Sequence, residues 1–189
     1  MSTIKVNTIQ DTGTNTAATI SGGTVSFNNA PLTPARPAFK VTRRNNGGSQ
    51  AQLTGSDIFK TGQTNGQITV NYNIGSHFAN GRFTCPVAGL YQFTAIGMIS
   101  DASGNAAGGN YTFIAYFTKN GETNSDSIDN IQMYHYHGSG SSGDYPYFNY
   151  SKTYQLSAND VIGFRIQTGG LYGSNSDYYS SQFMGHLIG

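Results

Sequence analysis

Two histidines in residues 134–138 (YHYHG) are candidates for binding a metal ion. His135 and His137 are two residues apart, so in a β-strand they lie on one face, and neutral imidazole is a common zinc ligand. Asp129 is a candidate third ligand. Because no cysteine or glutamate lies nearby, the alternative is that both histidines are exposed or hydrogen-bonded.

The acidic residues do not predict a catalytic centre. Glycoside cleavage needs two positioned carboxylates, and the only glutamate, Glu122, lies in a predicted hairpin turn. Asp126 and Asp129 lie in DSIDN, which lacks the alternating acids and glycine of a calcium loop. No G-x-S-x-G nucleophile turn is recognisable, and GNAAGGN precedes a predicted strand rather than a helix. The sequence predicts a protein that is not an enzyme and needs no cofactor.

The composition favours an all-β fold. The chain has 189 residues, of which 10% are charged, with 25 Gly, 13 Tyr and 11 Phe. It is poor in helix formers and rich in strand-forming aromatic residues and threonine. The formal net charge of +1, with no basic cluster beyond Arg43-Arg44, argues against nucleic-acid binding. The opening residues 1–5 (MSTIK) lack the apolar region of a signal peptide, and no later run approaches the roughly 20 apolar residues of a membrane span. We therefore expect synthesis in a cytoplasm without membrane insertion.

Residues 81–93 (GRFTCPVAGLYQF) organise the predicted sandwich. Two alternating runs, each with one apolar face, flank a Pro-Val-Ala-Gly turn. Pro86 cannot donate to a central ladder and Gly89 tolerates unusual backbone angles, so the turn is predicted to be a corner. Cys85 is predicted to be a small core side chain. Similar short runs separated by Gly and Asn turns predict a sandwich or jelly roll, with loops at 100–110 and 124–147.

Two predicted strands are apolar on both faces, although a sandwich strand facing water should be polar on its outer side. An exposed apolar patch usually marks a subunit contact. We therefore interpret Ile96, Met98, Ile114 and Tyr116 as an oligomer interface. The alternative is that a loop of the same chain covers them.

The first 35 residues are predicted to be an amino-terminal anchor and Pro-rich neck, and residues 36–189 the main domain. The alternating runs before residue 30 are too short to form a core alone, and APLTPARP is a stiff extended spacer. Strands of this kind would pair with other chains, and the alternative is a flexible tail. The anchor positions are Ile4, Val6, Ile9, Ile20, Val25 and Phe27.

Tyrosines in the predicted loop 124–147 suggest a recognition surface. Tyr134, Tyr136, Tyr145 and Tyr147 lie among Ser, Gly and Asn, a mixture favoured in adaptable binding surfaces. A tyrosine ring with its hydroxyl suits a sugar or a protein epitope. The alternative is that these rings pack locally or line a subunit contact.

Residues 39–189 resemble the C1q/TNF-like jelly-roll family, specifically its C1q-like branch. The resemblance is carried by the GxFxCPxxGxYxF pattern of residues 81–93 and by the closing FxGxL of residues 183–187. It implies a ten-stranded jelly roll that forms a homotrimer, with both termini at one end and binding loops at the opposite end and flanks. The framework positions it implies are Phe83, Gly89, Tyr91, Phe93, Phe164, Phe183, Gly185 and Leu187.

Residues 1–20 (MSTIKVNTIQDTGTNTAATI) resemble the openings of structural and fibre proteins of tailed phages, notably cyanophages. Together the two resemblances imply a trimeric knob on the virion surface, tethered to other virion proteins of the capsid, neck or tail. The alternative is a receptor-binding module that recognises a host cell-surface polysaccharide or protein.

Overall fold

The computed structural model describes residues 8–10, 16–21, 24–27, 36–44, 53–55, 58–60, 67–100, 111–121, 123, 126–135, 147–171 and 181–189. For residues 8–10, 16–21, 24–27, 53–55, 100, 111 and 130–135 the description is of the backbone. The chain divides into two compact units, Met1–Ala35 and Arg36–Gly189, which are described separately.

The first unit contains an antiparallel sheet of three strands in the order β1-β2-β3. The strands are β1 Thr8–Gln10, β2 Thr16–Ser21 and β3 Thr24–Phe27. Two glycines, Gly22 and Gly23, separate β2 from β3 in the sequence, a spacing and composition typical of a two-residue hairpin loop.

In the second unit, five antiparallel strands form one sheet, called here the five-stranded sheet, in the order β12-β9-β14-β4-β6. Its strands are β4 Ala38–Arg44, β6 Gln67–Ile74, β9 Gly89–Ser100, β12 Tyr147–Leu156 and β14 Ser181–Leu187. The longest, β9, lies between β12 and β14.

The facing sheet, called here the second sheet, has the order β7-β8-β13-β10-β11, and the short strand β5 pairs with β13. Its strands are β5 Leu53–Gly55, β7 Phe78–Ala79, β8 Arg82–Thr84, β10 Tyr111–Lys119, β11 Ser127–His135 and β13 Val161–Leu171. The two sheets join at one corner, where Gly170 and Leu171 pair with Ser100 and Ile99.

From β8 onward the chain passes repeatedly between the sheets, which is the connectivity of a jelly roll. Strands β9, β12 and β14 lie in the five-stranded sheet, and β8, β10, β11 and β13 lie in the second sheet. The predicted all-β jelly-roll sandwich is therefore confirmed. The described residues of the second unit form eleven strands, where the resemblance implies ten. The sequence pattern does not predict the short strand β5.

One predicted loop is partly a strand. The sequence predicts that residues 124–147 are loop-rich, but β11 occupies Ser127–His135 and pairs with β10 along almost its whole length. The run SIDNIQMYH has no clean alternation, so periodicity alone does not reveal it. Its position at the edge of the second sheet, supplied by β10, determines its conformation.

The core between the sheets is rich in aromatic side chains. Along β9, Tyr91, Phe93 and Ala95 are fully buried while the intervening residues are half-buried, as expected for a strand with one face inward. Phe183 of β14 packs within 6.4 Å, centroid to centroid, of the Phe93 ring. The buried aromatic residues of the core are Phe39, Phe59, Phe78, Phe83, Tyr91, Phe93, Phe113, Phe117, Phe148, Phe164 and Phe183.

Candidate functional site

The predicted metal site is not assembled by the described part of the chain. Asp129 and His135 lie six residues apart on the same straight strand, about 20 Å along it, which is too far for one ion. The Asp129 carboxylate instead lies 3.1 Å from Lys152 Nζ. His137 lies outside the described residues. No group of three His, Cys, Asp or Glu side chains that could hold an ion occurs among the residues described.

Cys85 is buried and chemically protected. Its side chain is fully inaccessible, and burial, followed by the charge of Asp160, raises the pKa of the thiol to about 12. Because the thiolate is the nucleophile, a thiol with this pKa is unreactive near neutral pH. The prediction that Cys85 is a small core side chain is confirmed.

A hydrogen-bonded network around Asp160 fixes three turns at one end of the sandwich. Asp160 accepts hydrogen bonds from Asn120 Nδ2 at 2.9 Å and from the Ser157 backbone N–H at 2.8 Å. Its backbone carbonyl accepts from the Cys85 N–H at 2.8 Å. Burial opposes ionisation of Asp160, but the bonds from Lys119, Asn120 and Ser157 outweigh it, so the pKa of the carboxyl lies below its usual value. Every oxygen of this carboxylate is engaged, so the network holds the fold together.

Two of the residues predicted to form a subunit interface are buried within a single chain, so that part of the prediction is wrong. Met98 and Tyr116 are each 2% exposed, which leaves no surface for a second copy to cover. Ile96 and Ile114 are half-buried, on the outer faces of different sheets. The alternation of residues along each strand correctly predicts that all four side chains lie on outer faces of the sheets. It does not predict whether other parts of the same chain cover those faces.

Several exposed apolar side chains lie elsewhere, on the outer face of the five-stranded sheet. Tyr72 is 45% exposed and Ile74 39%, both on the edge strand β6, opposite Lys40 and Ala38 of β4. Sequence reasoning missed them because the alternation of β6 is equally compatible with a core-facing strand. A register shift between Lys40 and Val41 places this end of β6 on the outer face.

The apolar surface continues at the end of this sheet where the second unit begins and the chain ends. Leu90 and Ile188 are exposed neighbours, since the Ile188 N–H donates to the Leu90 carbonyl at 2.7 Å. Arg36 Nη1 donates to the Ile188 carbonyl at 2.6 Å, and the Leu187 N–H donates to the Pro37 carbonyl at 3.0 Å. Residue 36 and the carboxyl end of the chain are therefore adjacent.

The outer face of the five-stranded sheet carries little charge. Among its described positions the residues with a formal charge at neutral pH are Lys40 and Arg44, both on β4, with His186 counted as neutral. Small polar residues link neighbouring strands, as where Thr94 Oγ1 lies 2.5 Å from Ser151 Oγ. The positions are Ala38, Lys40, Thr42, Arg44, Tyr72, Ile74, Leu90, Gln92, Thr94, Ile96, Met98, Tyr147, Asn149, Ser151, Thr153, Gln155, Gln182, Met184, His186 and Ile188.

Of the four tyrosines predicted to recognise a ligand, the structure exposes Tyr147. This side chain is 51% exposed at the start of β12, opposite Met98. Its partner Met98 is eight residues along β9 from Leu90. Tyr147 therefore lies about 26 Å from the end of the sheet at which the chain enters the second unit at residue 36. Tyr134 lies on β11, opposite Thr112, and its side chain is not described. Tyr136 and Tyr145 lie outside the described residues.

The anchor positions of the first unit fall partly on its sheet. Ile9 is on β1, Ile20 on β2, and Val25 and Phe27 on β3. Ile4 and Val6 lie outside the described residues. Among the described residues, no helix is long and apolar enough to cross a membrane.

A polar cluster bridges the free edges of the two sheets. Lys152 of β12 pairs with Asp129 of β11, and its ammonium lies 5.7 Å from the centre of the Tyr150 ring. Burial, and then the bond to Asp129, raise the pKa of Tyr150. Burial also raises the pKa of Tyr154, whose hydroxyl has no hydrogen-bond partner in the described part of the chain. The cluster is polar and aromatic, and it closes the open side of the sandwich.

These features define a jelly-roll protein that exposes a sparsely charged, partly apolar sheet face. No family model and no curated protein matches the sequence. Among solved structures, the chain is similar to the globular domain of zebrafish complement 1qA protein, with 16% sequence identity and a TM-score of 0.48 over 81% of this chain and 98% of that one. It is also similar to murine APRIL, with 11% identity and a TM-score of 0.47 over 80% and 99%. The fold assignment rests on the strand pairing of this chain, and no property of either protein is transferred to it.

Proposed function

We propose that this protein is a non-enzymatic structural component of a phage virion. In this proposal the second unit is a homotrimeric jelly-roll knob, acting as a fibre or decoration protein on the virion surface. The first unit tethers it to a protein of the head or tail. The resemblance of residues 1–20 to tailed-phage proteins supports the virion setting.

The outer face of the five-stranded sheet is the observation that carries the oligomer. Tyr72, Ile74, Leu90 and Ile188 are each more than a third exposed in a single chain, on a face whose described charged residues are Lys40 and Arg44. Depletion of charge and exposure of aromatic and aliphatic side chains are the composition of an interface core. Contiguous apolar surface of this kind usually marks a contact between proteins. A closed ring of three copies would cover this face.

The first experiment measures the mass of the full chain by light scattering at micromolar concentration. We expect three times the mass of one chain for the natural protein and the mass of a single chain for Ile74→Glu, because a buried carboxylate without a partner is costly. Val87→Glu is the matched control, since Val87 is 47% exposed in the corner between β8 and β9 rather than on the sheet face. A natural protein that remains monomeric would overturn the oligomeric knob.

The tethering role has its own test. Virions assembled with a chain lacking residues 1–30 should contain none of the protein, although the shortened chain keeps its trimeric mass. Incorporation of the shortened chain at the natural level would remove the anchoring role while leaving the knob intact.

A second candidate function is host recognition, and the position of Tyr147 favours it. This exposed ring lies at the end of β12 farthest from the entry of the chain at residue 36, where a tethered knob would present it outward. Tyr147→Ala should reduce the binding of fluorescent knob to host cells, whereas Val87→Ala, at a similarly exposed position in the β8–β9 corner, should not. Equal binding of both variants and the natural protein would favour decoration alone.

A further inference from the structure

The register of the three-stranded sheet in the first unit separates two kinds of residue. Ile9 pairs with Ala18, which pairs with Phe27, and Ile20 pairs with Val25. Directly paired residues of antiparallel strands occupy the same face of a sheet. All five of these apolar positions therefore share one face.

The paired positions on the opposite face are polar, and all but Gln10, which pairs with Thr16 beyond a register shift, carry hydroxyl groups. Thr8 pairs with Thr19, which pairs with Ser26, and Ser21 pairs with Thr24. A sheet with one apolar and one hydroxyl-bearing face is patterned to be covered on one side and solvated on the other. The described strands of this unit form a single layer, so this cover must come from another segment or another chain.

The size of the sheet limits what that cover can be. Three strands of three to six residues make a face about 14 Å wide and 10–20 Å long, or roughly 150–300 Å². Two such faces in contact remove roughly 300–600 Å² from water, well below the roughly 1,200 Å² of a stable specific interface. A separate protein captured from free solution would not be held by this face alone.

Copies of the same segment do not need that stand-alone affinity, because the knob would already hold them together. Short linkers give tethered segments an effective concentration on the order of millimolar. Residues 28–37 (NNAPLTPARP) span at most about 35 Å when extended and are stiffened by three prolines. A contact of this size, which is too small to hold free molecules together, can therefore hold segments that are already tethered to one another.

We propose that the apolar face of β1–β3 packs against the same face of the sister copies, so that three first units form a three-sided stem. This inference rests on the proposed trimeric knob and specifies the partner of the anchor segment. The apolar positions Ile9, Ala18, Ile20, Val25 and Phe27 line the stem interior. Virion proteins would then contact the hydroxyl-bearing outer face, rather than the apolar positions that the sequence alone assigned to them.

The experiment uses disulfide formation in the full chain at two adjacent positions on opposite faces. Val25→Cys lies on the apolar face and Ser26→Cys on the hydroxyl-bearing face of β3. Under mild oxidation we expect Val25→Cys to form interchain dimers at least ten times faster than Ser26→Cys, at a rate independent of protein concentration. The buried native Cys85 does not react.

Two controls separate this inference from the proposed function. Ile74→Glu, which dissociates the knob, should abolish the rapid cross-linking of Val25→Cys, and Ile20→Asp should do so without changing the mass of the trimer. Equal cross-linking at positions 25 and 26 in a trimeric protein would overturn the stem and leave the knob intact. A monomeric natural protein would overturn both.

Discussion

Lys119 Nζ lies 2.8 Å from Asp160 Oδ2 and joins the end of β10 to the turn that precedes β13. The same carboxylate accepts hydrogen bonds from Asn120 and from the Ser157 backbone. Asn120 Oδ1 in turn accepts from the Val161 N–H at 2.7 Å. Asp160 is 7% exposed, so these bonds are shielded from solvent on most sides. The carboxylate thus connects the end of β10 to the turn between β12 and β13, and the Asp160 backbone carbonyl connects that turn to Cys85, beside the corner that leads into β9.

Replacing Asp160 should weaken the fold in a pH-dependent way. We expect Asp160→Asn to lower the free energy of unfolding by about 1–3 kcal/mol at pH 7, measured by urea denaturation, because several charge-assisted bonds are lost. The folded-state pKa lies below the ordinary value of 3.8, so this contribution is complete above pH 3.8 and is lost as the pH falls below it. The difference between the two proteins should therefore shrink in acid.

Asp126→Asn is the control for that experiment. Asp126 accepts bonds from Thr123 within its own exposed turn, at 2.8 Å from the N–H and 2.6 Å from the hydroxyl. It makes no connection to another sheet in these bonds, so its replacement should change stability much less than Asp160→Asn. Equal effects at pH 7 would contradict the role assigned to the Asp160 network.

The Cys85 thiol should be unreactive in the folded protein. We expect negligible modification by a thiol reagent at pH 8 and rapid modification in denaturant, because the side chain is fully buried and its pKa is raised to about 12. The unfolded thiol ionises near pH 9.0, so stability should fall between pH 9 and 12 by up to about 1.4 kcal/mol per unit. Cys85→Ala should remove this contribution to the loss of stability between pH 9 and 12. A variant whose stability falls with pH as steeply as that of the natural protein would contradict the assignment to Cys85.

Close packing around Gly185 predicts a large effect of one methyl group. A Cβ atom there would lie 2.7 Å from Phe93 Cε1 and 2.8 Å from Phe39 Cε1, and both rings are fully buried. Overpacking a dense core costs about 1–3 kcal/mol or more, so Gly185→Ala should lower the thermal midpoint by several degrees. Gly189→Ala is the matched control, since nothing lies within 4 Å of its added methyl. Equal thermal midpoints for Gly185→Ala and Gly189→Ala would show that the rings around Gly185 can shift to accept a methyl group at little cost.

Sequence patterns predicted the inner layer of this fold well. The corner at residues 86–89 and the framework residues Phe83, Tyr91, Phe93 and Phe183 lie where alternation and resemblance place them, all four fully buried. Inner-face burial is set by strand periodicity and side-chain type, which are local properties. The inner layer can therefore be predicted from the amino-acid sequence alone.

The outer layer depends on contacts that are distant in the sequence. Met98 and Tyr116 have the parity of outer-face residues, yet each is 2% exposed. Tyr72 and Ile74 have the alternation of core residues, yet a register shift against β4 places them outside. A shift of one residue reverses the faces of all that follows, and nothing local in β6 signals it.

The hydroxyl groups of two buried tyrosines should have opposite effects on stability. Tyr91 donates to the Val87 carbonyl at 2.8 Å, whereas the buried Tyr154 hydroxyl has no partner in the described part of the chain. A satisfied bond contributes about 0.5–1.5 kcal/mol, while an unpaired buried hydroxyl costs about 1–3 kcal/mol. Tyr91→Phe should therefore lower the free energy of unfolding, and Tyr154→Phe should leave it unchanged or raise it.

Urea denaturation of the two variants beside the natural protein decides the matter, because each change removes one oxygen and preserves the ring packing. Tyr154 packs against Phe117 and Phe93 at 6.0 and 6.4 Å between centroids, contacts that phenylalanine would keep. A loss at Tyr154 equal to that at Tyr91 would mean that a buried water molecule pairs with the hydroxyl, as is common at polar sites within proteins. A gain would mean that the Tyr154 hydroxyl is buried without a hydrogen-bond partner in the folded protein.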